Sequence, residues 1–169
     1  MDVHVLSAYF HRYGAIVIFV IVFLEYLNMP GFPSGVIMPL AGIWASKGNI
    51  AFISVLILSV VAGICGSWAL YFLGRYGGDL VLKKYVKKFP KQKAVIDRTI
   101  ERVQNKGYLG IFVGKLIPVF RTIISIPAGV LKINFIGYTV ASTMGIFVWN
   151  LLFVGAGYIF GEAALKFLA

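Results

Sequence analysis

Long apolar runs alternate with shorter apolar arms along this chain. Residues 50–73 and 133–160 carry no charged side chain. At a rise of about 1.5 Å per residue, each run is long enough to cross the hydrocarbon core of a bilayer, which is about 30 Å thick. The two runs predict transmembrane helices, and the pattern as a whole predicts an all-α integral membrane protein.

Two further arms, residues 13–24 and 34–46, end at Glu25 and Lys47 and are too short to cross alone. A single span needs about 17–25 residues. Pro30 and Pro33 lie between the arms, and proline interrupts a helix because it lacks the backbone N–H. Broken backbone cannot face lipid, so we predict that the arms form a re-entrant hairpin buried in protein or lining a wet cavity.

The two halves of the chain align when the sequence is shifted by 87 residues. Ala41-Gly42 then falls on Ala128-Gly129, and 71–74 falls on 158–161. The break at 30–33 falls on 117–120, which contains Pro118. Pro127 follows in the second arm, and we interpret all four prolines as hairpin breaks.

Each half therefore has one hairpin and one span, and crosses the membrane once. Two such halves must be inverted relative to each other, and inverted repeats with broken helices are typical of transporters. We predict one membrane domain over residues 1–169, with a first repeat at about 13–75 and a second at about 107–162.

Positive charge is concentrated between the repeats, at residues 76–106 and the arginine just before them. The net charge is +10, and ten of the 16 Lys and Arg residues fall between Arg75 and Lys106. The positive-inside rule explains this segment more simply than binding to nucleic acid, so we predict a cytoplasmic connector. Ile96, Ile100 and Val103 line one face of 91–106, which predicts a basic amphipathic helix lying on anionic inner-leaflet lipids.

The stretch GKLIPVFRTIISIPAG at 114–129 places two cations inside an apolar run. An arginine at membrane depth is costly unless it is paired or hydrated, which makes Arg121 the first candidate for a binding site. Its planar fork suits bidentate contact with a phosphate. The alternative is that Arg121 reaches the interface or pairs structurally with Glu25. Lys115 is a second candidate for the phosphate, although a lysine near a hairpin mouth also reaches the interface.

Glu25 and Arg75 are the remaining candidates. Glu25 is the acid of the first apolar arm, and it has three competing roles: counter-ion to Arg121, proton carrier, or partner of a substrate ammonium. It could also be a helix-end carboxylate that reaches water. Arg75 ends the first long run and is either an anchor to lipid headgroups or a secondary site.

Catalytic and metal chemistry find no support in the sequence. The chain has one cysteine, Cys65, and two histidines, His4 and His11, both near the N-terminus. No nucleophile and base occur in a pattern typical of an enzyme. We therefore predict neither an enzyme nor a metal site, and no cofactor.

Several of these motifs together resemble the DedA family of bacterial membrane proteins, the VTT-domain group. The residues that carry the resemblance run through nearly the whole chain: Glu25, Pro30-Gly31-Phe32-Pro33, Leu40-Ala41-Gly42, Gly66, Tyr71-Phe72-Leu73-Gly74-Arg75, Gly114-Lys115-Leu116-Ile117-Pro118-Val119-Phe120-Arg121-Thr122, Ala128-Gly129 and Trp149. The resemblance implies two facing re-entrant hairpins and movement of lipids between leaflets. The substrates it suggests are undecaprenyl phosphate and phosphatidylethanolamine.

The chain departs from the family pattern at three places. Ser34-Gly35 stands where the family often has glycine and an acid, Ser67 replaces an aspartate after Gly66, and Lys115 replaces an arginine. The loss of two acids weakens the expectation of a proton relay built from several carboxylates.

These observations lead to one hypothesis and two alternatives. The hypothesis is a flippase or scramblase of the bacterial cytoplasmic membrane, with Arg121 and Lys115 on the phosphate headgroup and Glu25 in proton coupling or on an ammonium. The alternatives are a proton-coupled carrier of small ions or cationic drugs, and a membrane assembly factor that transports nothing. The expected partners are membrane lipids, and assembly into a homo-oligomer is left open.

Overall fold

The protein is all-helical in a computed structural model that describes residues 3–27, 34–47, 50–88, 90, 93–118 and 120–161. Within these ranges the chain forms seven α-helices. In chain order they are α1 (Val3–Tyr26), α2 (Ser34–Ser46), α3 (Phe52–Lys88), α4 (Lys93–Lys115), α5 (Phe120–Ile123), α6 (Ser125–Val130) and α7 (Phe135–Phe160).

Two of these helices are long and apolar enough to cross a membrane, as the sequence predicts. They are the Phe52–Gly78 part of α3 and the whole of α7. Both expose large apolar side chains: Ile53 is 66% exposed, Ile57 58% and Ile136 73%. A soluble domain rarely exposes continuous apolar faces of this kind, and lipid is the environment that suits them. α1 begins at Val3, ahead of the arm predicted from residue 13.

Two glycines bend helices where the apolar segments meet the basic connector. Gly78 has φ 52° and Gly107 has φ 54°. Glycine is the residue that adopts such positive φ angles at little steric cost, because it has no Cβ. α3 turns at Gly78 from its apolar span into the connector. At Gly107, α4 turns from the connector into the apolar segment 108–115, and Gly110 then lies against the backbone of Arg102.

The apolar face of the amphipathic part of α4 packs on the protein itself, which leaves the basic face of this helix for the predicted contact with anionic lipids. Ile96 and Val103 are each only 1% exposed. Val103 belongs to a buried cluster with Ile111 and Ile124, which places the connector over the second half of the chain. Tertiary burial satisfies this apolar face, while Lys93 and Lys106 remain exposed.

The short helices α2 and α6 each pack on the long helix of the other half of the chain. α2 packs on α7, and α6 packs on α3. Glycines allow the close approach: a Cβ on Gly42 would overlap the carbonyl oxygen of Val154, and a Cβ on Gly129 would overlap that of Tyr71. Gly42 and Gly129 are the pair that the 87-residue shift aligns, and each lies against the backbone of the long helix of the other half.

Candidate functional site

The candidate site lies where the second half of the chain is broken into short helices. α4 ends at Lys115, a turn follows at 116–118, and α5 is only four residues long. Pro118 is exposed in the turn. Pro127 is buried in the first turn of α6 and has no N–H to donate to the carbonyl of Ile123, which accounts for the interruption at Ile124 between α5 and α6. Pro30 and Pro33 lie outside the described residues.

Arg121 is fully buried and is held from two directions. Its Nη2 pairs with Glu25 Oε1, and its Nη1 donates to the hydroxyl of Tyr26 at 3.1 Å. Its guanidinium also lies between two aromatic rings, 4.6 Å from the centre of Tyr26 and 5.1 Å from that of Trp149. Glu25 is only 3% exposed, so the pair is enclosed by the protein. The structure thus brings together the predicted Arg121 and Glu25.

A chain of polar side chains continues from this pair between the long helices. The Tyr26 hydroxyl donates to Asn150 Oδ1 at 3.4 Å, and Asn150 Nδ2 donates to Ser59 Oγ at 3.1 Å. Asn150 and Ser59 are both fully buried. Buried polar groups cost free energy unless they are hydrogen-bonded, and these contacts satisfy several of them.

Some buried polar atoms around Arg121 have no hydrogen-bond partner among the described residues. They are Arg121 Nε, Glu25 Oε2 and Trp149 Nε1. Two are donors and one is an acceptor, and all belong to side chains at one place in the fold. An unpaired buried polar atom costs about 1–3 kcal/mol, so these three atoms are available to hydrogen-bond water or a ligand.

Lys115 is also fully buried, but its donors are already used. Its Nζ donates to Ser67 Oγ at 2.8 Å, to the carbonyl of Arg121 at 2.9 Å and to Ser125 Oγ at 3.0 Å. The Tyr138 hydroxyl lies 2.8 Å from Ser125 Oγ and 3.1 Å from the Ser67 carbonyl. Through these hydrogen bonds Lys115, at the end of α4, connects this helix to α3 and α6. It has no donor left for a phosphate without rearrangement.

Two departures from the family pattern contact each other here. Ser67 stands where the resemblance implies an aspartate, and Lys115 stands where it implies an arginine. Their hydrogen bond therefore joins a neutral hydroxyl to the cation where a pair of opposite charges would be expected.

Arg75 lies at a different place. Its Nη1 donates to the Tyr71 hydroxyl at 2.7 Å, and the same nitrogen lies 3.5 Å from the carbonyl of Ile133. Tyr71 in turn stacks on Tyr138, with ring centres 4.5 Å apart. Arg75 therefore stabilises the turn before α7. The structure does not bring it together with Arg121.

An apolar groove of about 520 Å³ opens between α4 and α7. Its lining residues share an apolar surface: Tyr108, Leu109, Phe112, Gly137, Val140, Ala141 and Met144. Further along the same seam, Gly145 lies against the side chain of Lys115. Lys115 therefore lies on the same α4–α7 contact as the groove.

Most of the residues that surround the two cations were not predicted from the sequence. Tyr26, Ser125, Tyr138 and Asn150 all contact the site, and Trp149 entered only through the resemblance. A usable signal was present for Asn150, since an amide in the middle of a charge-free run needs a buried partner. The tyrosines gave no such signal, because tyrosine is common at membrane interfaces.

Comparison with known proteins identifies the family of this chain. The VTT domain family matches residues 32–159. The chain is 36% identical over 130 residues to undecaprenyl phosphate transporter A of Bacillus subtilis, covering 77% of this chain and 66% of that protein. It is 30% identical over 136 residues to the uncharacterized membrane protein YkoX of Bacillus subtilis, covering 80% of this chain and 62% of that protein.

Protein DedA of Escherichia coli is more distant, at 26% identity over 168 residues, covering 95% of this chain and 76% of that protein. The matches to the two Bacillus proteins span just under two thirds of their length. No solved structure matches this chain. The two helices long enough to span a bilayer and the membrane-protein relatives agree that this is a membrane protein. The chain belongs to the VTT-domain family, which confirms the resemblance to DedA proteins carried by its sequence motifs.

Proposed function

We propose that this protein is a lipid translocase of the bacterial cytoplasmic membrane that moves a phosphate-headgroup lipid between leaflets. The observation that carries the proposal is Arg121, a fully buried guanidinium at a helix break, with unpartnered polar atoms around it in the described part of the chain. A relative named undecaprenyl phosphate transporter A, at 36% identity, supports a lipid monophosphate as substrate.

The proposed architecture is an inverted repeat of two re-entrant hairpins, each followed by a spanning helix. The packing of α2 on α7 and of α6 on α3, each between the two halves of the chain, supports it. So do the equivalent close approaches of Gly42 and Gly129 to opposite long helices. In such a repeat the two breaks face each other, and a headgroup bound between them is accessible from either side in turn.

Arg121 binds the headgroup in this mechanism. Glu25 occupies one edge of the guanidinium in the structure. A phosphate can pair with the Nε edge, which has no partner among the described residues, or displace the carboxylate from Nη2. Both arrangements use charge-assisted hydrogen bonds, which are about twice as strong as neutral ones. Trp149 Nε1 is a further donor beside the same guanidinium.

The lipid tail occupies the apolar groove between α4 and α7. The groove is lined by apolar residues and lies on the same α4–α7 contact as Lys115. A tail in this position stays in an apolar environment while its headgroup crosses through the polar site. Only the headgroup then has to be moved through a polar environment, because the tail stays in apolar surroundings throughout.

The two candidate substrates differ in what they require of Glu25. Undecaprenyl phosphate offers only phosphate oxygens, so Glu25 acts as the counter-ion of the empty site or as a proton carrier. Phosphatidylethanolamine also offers an ammonium, for which Glu25 Oε2 is an available acceptor. Substitution of Glu25 by Gln should therefore weaken binding of phosphatidylethanolamine more than binding of a lipid monophosphate.

Leaflet exchange in proteoliposomes tests the proposal. The purified chain is reconstituted with fluorescent phosphatidylethanolamine, or with a labelled polyprenyl phosphate, and the accessible label is quenched from outside. We expect exchange well above that of empty liposomes for at least one of these lipids. Uptake of a soluble cation or cationic drug, with no lipid exchange, would favour the carrier alternative instead. Activity in neither assay would favour an assembly role.

A further inference from the structure

Lys115 is surrounded by neutral oxygen atoms. Its three hydrogen-bond acceptors are two serine hydroxyls and one backbone carbonyl. The side chain is fully buried, and no carboxylate pairs with it in the part of the chain that the structure describes. A buried ammonium with only neutral partners is costly, because desolvation is not offset by an opposite charge.

The charges at this site do not balance. Arg121 and Lys115 are both buried cations, and Glu25 is the one buried carboxylate among the described residues. Glu25 is already paired with Arg121. On the connector, Asp97 and Glu101 are both exposed. The excess positive charge can be removed in two ways: an anion binds, or Lys115 loses its proton, which an arginine cannot do.

We propose that Lys115 is a proton carrier of this protein, neutral when the headgroup site is empty and protonated when an anionic headgroup is bound at Arg121. This inference rests on the proposed function. It assigns the coupled proton to the lysine, while Glu25 acts as the counter-ion of Arg121. With one negative headgroup bound and Lys115 protonated, the two cations are balanced by the carboxylate and the phosphate.

The hydrogen-bond partners of Lys115 suit both protonation states. As an ammonium, Lys115 donates three hydrogen bonds. As a neutral amine it donates two and accepts one, and the hydroxyl of Ser67 or Ser125 can supply that hydrogen by rotation. The carbonyl of Arg121 accepts in either state. The Tyr138 hydroxyl, 2.8 Å from Ser125 Oγ, allows the serine to change between donor and acceptor without losing its partners.

The groups that face Lys115 come from every helix packed around it. α3 contributes Ser67, and α6 contributes Ser125. The charged and titratable groups close to Lys115 or to its partners are Glu25 and Tyr26 of α1, Arg121 of α5 and Tyr138 of α7. Arg121 does not titrate near neutral pH, and Glu25 is paired. Lys115 is therefore the group in this set whose charge a bound anion changes.

The coupled step is a simple proton transfer. When the headgroup arrives, one proton from the aqueous phase adds to the lone pair of Lys115 Nζ, and an N–H bond forms. When the headgroup leaves, that N–H bond breaks and the proton returns to water. No other covalent bond changes, and no electron is transferred.

Two measurements on the purified 169-residue chain in detergent test this. The first needs no ligand: thermal stability is followed from pH 6 to pH 10 for wild type and Lys115→Arg. An unfolded lysine is protonated over most of this range, so folding wild type releases a proton, and its stability should rise with pH relative to the arginine variant. Lys84→Arg, at an exposed connector lysine, is the matched control and should follow wild type.

The second measurement is proton uptake on binding of a fifteen-carbon isoprenyl phosphate, by calorimetry in buffers of different ionisation enthalpy. Wild type should take up about one proton more per bound phosphate than Lys115→Arg. Equal uptake by the two proteins, or parallel stability profiles, would overturn the role of Lys115. Absence of isoprenyl phosphate binding to wild type would count against the proposed substrate, and the stability profiles alone would then decide whether Lys115 exchanges a proton.

Discussion

Arg121, in the second half of the chain, is paired with Glu25, in the first, inside the protein. The pair links α5 to the end of α1, and Tyr26 beside it contacts the same guanidinium. An ion pair at this position joins the two proposed hairpins. A ligand that competes for Arg121 would therefore change a contact between the halves as well as the occupancy of the site.

Removal of the carboxylate should expose the cost of burying Arg121. We expect Glu25→Gln to lower the free energy of unfolding by about 3–5 kcal/mol, because it leaves a buried cation without its partner. Thermal unfolding in detergent measures this effect. Glu101→Gln, at an exposed connector carboxylate, is the control and should change stability by less than about 0.5 kcal/mol. Equal melting temperatures for the two variants would mean that the pair does not hold the site together.

The packing of α6 on α3 leads to a second, independent prediction. Gly129→Ala places a methyl group against the backbone of Tyr71 and should destabilise the protein by about 1–3 kcal/mol. Gly155→Ala on α7 is the matched control, since a Cβ at that position would meet no atom within 4 Å from another part of the described chain. A Gly129→Ala protein as stable as the Gly155→Ala protein would contradict the close contact between α6 and α3.

The sequence predicts the parts of this fold that depend on local pattern. The charge-free runs at 50–73 and 133–160 correspond to the apolar spans of α3 and α7, because hydrophobic length alone determines such helices. The tertiary environment of the connector was not predictable in the same way. An apolar stripe containing Ile96 and Val103 suits a membrane surface as well as a protein surface, and the fold uses the protein surface.

At the candidate site, charged residues were found from sequence and their neutral partners were not. A buried arginine needs an acid, and Glu25 is the only acid in the apolar arms, so the Arg121–Glu25 pair was among the alternatives. The acceptors of Lys115 could not be chosen in advance. Serines occur throughout the apolar runs, and only the packing of α3 and α6 brings Ser67 and Ser125 to the same ammonium.

Membrane orientation is tested by labelling single cysteines in a Cys65→Ser background. The concentration of basic residues around the connector predicts that a cysteine at Lys87 faces the cytoplasm and is shielded from impermeant thiol reagents in intact cells. A cysteine at Lys47, in the turn after α2, should be labelled from outside. Both positions are exposed in the fold, so accessibility depends on the side of the membrane. Labelling at position 87 from outside would reverse the orientation.

The groove between α4 and α7 is tested by filling it. Val140→Trp places a large side chain among the residues that line the groove and should slow leaflet exchange about tenfold or more if a tail occupies it, equivalent to about 1.4 kcal/mol. Ile136→Trp, one turn earlier on α7 and outside the lining, is the control. Equal exchange rates for these two variants would exclude the groove as the tail site.

Leaflet exchange by Arg121 variants in proteoliposomes tests the central claim most directly, with thermal stability measured on each variant. Arg121→Ala should reduce exchange to that of empty liposomes. Arg121→Lys keeps the charge but loses the planar guanidinium that can donate to two phosphate oxygens at once. It should reduce exchange about ten- to a hundredfold. Lys83→Ala on the connector should leave it unchanged. If Arg121 binds the phosphate, Glu25→Gln combined with Arg121→Gln stays inactive although the buried charges are removed together. Recovery of exchange in that folded double variant would show that Arg121 only balances Glu25, and would contradict the phosphate site.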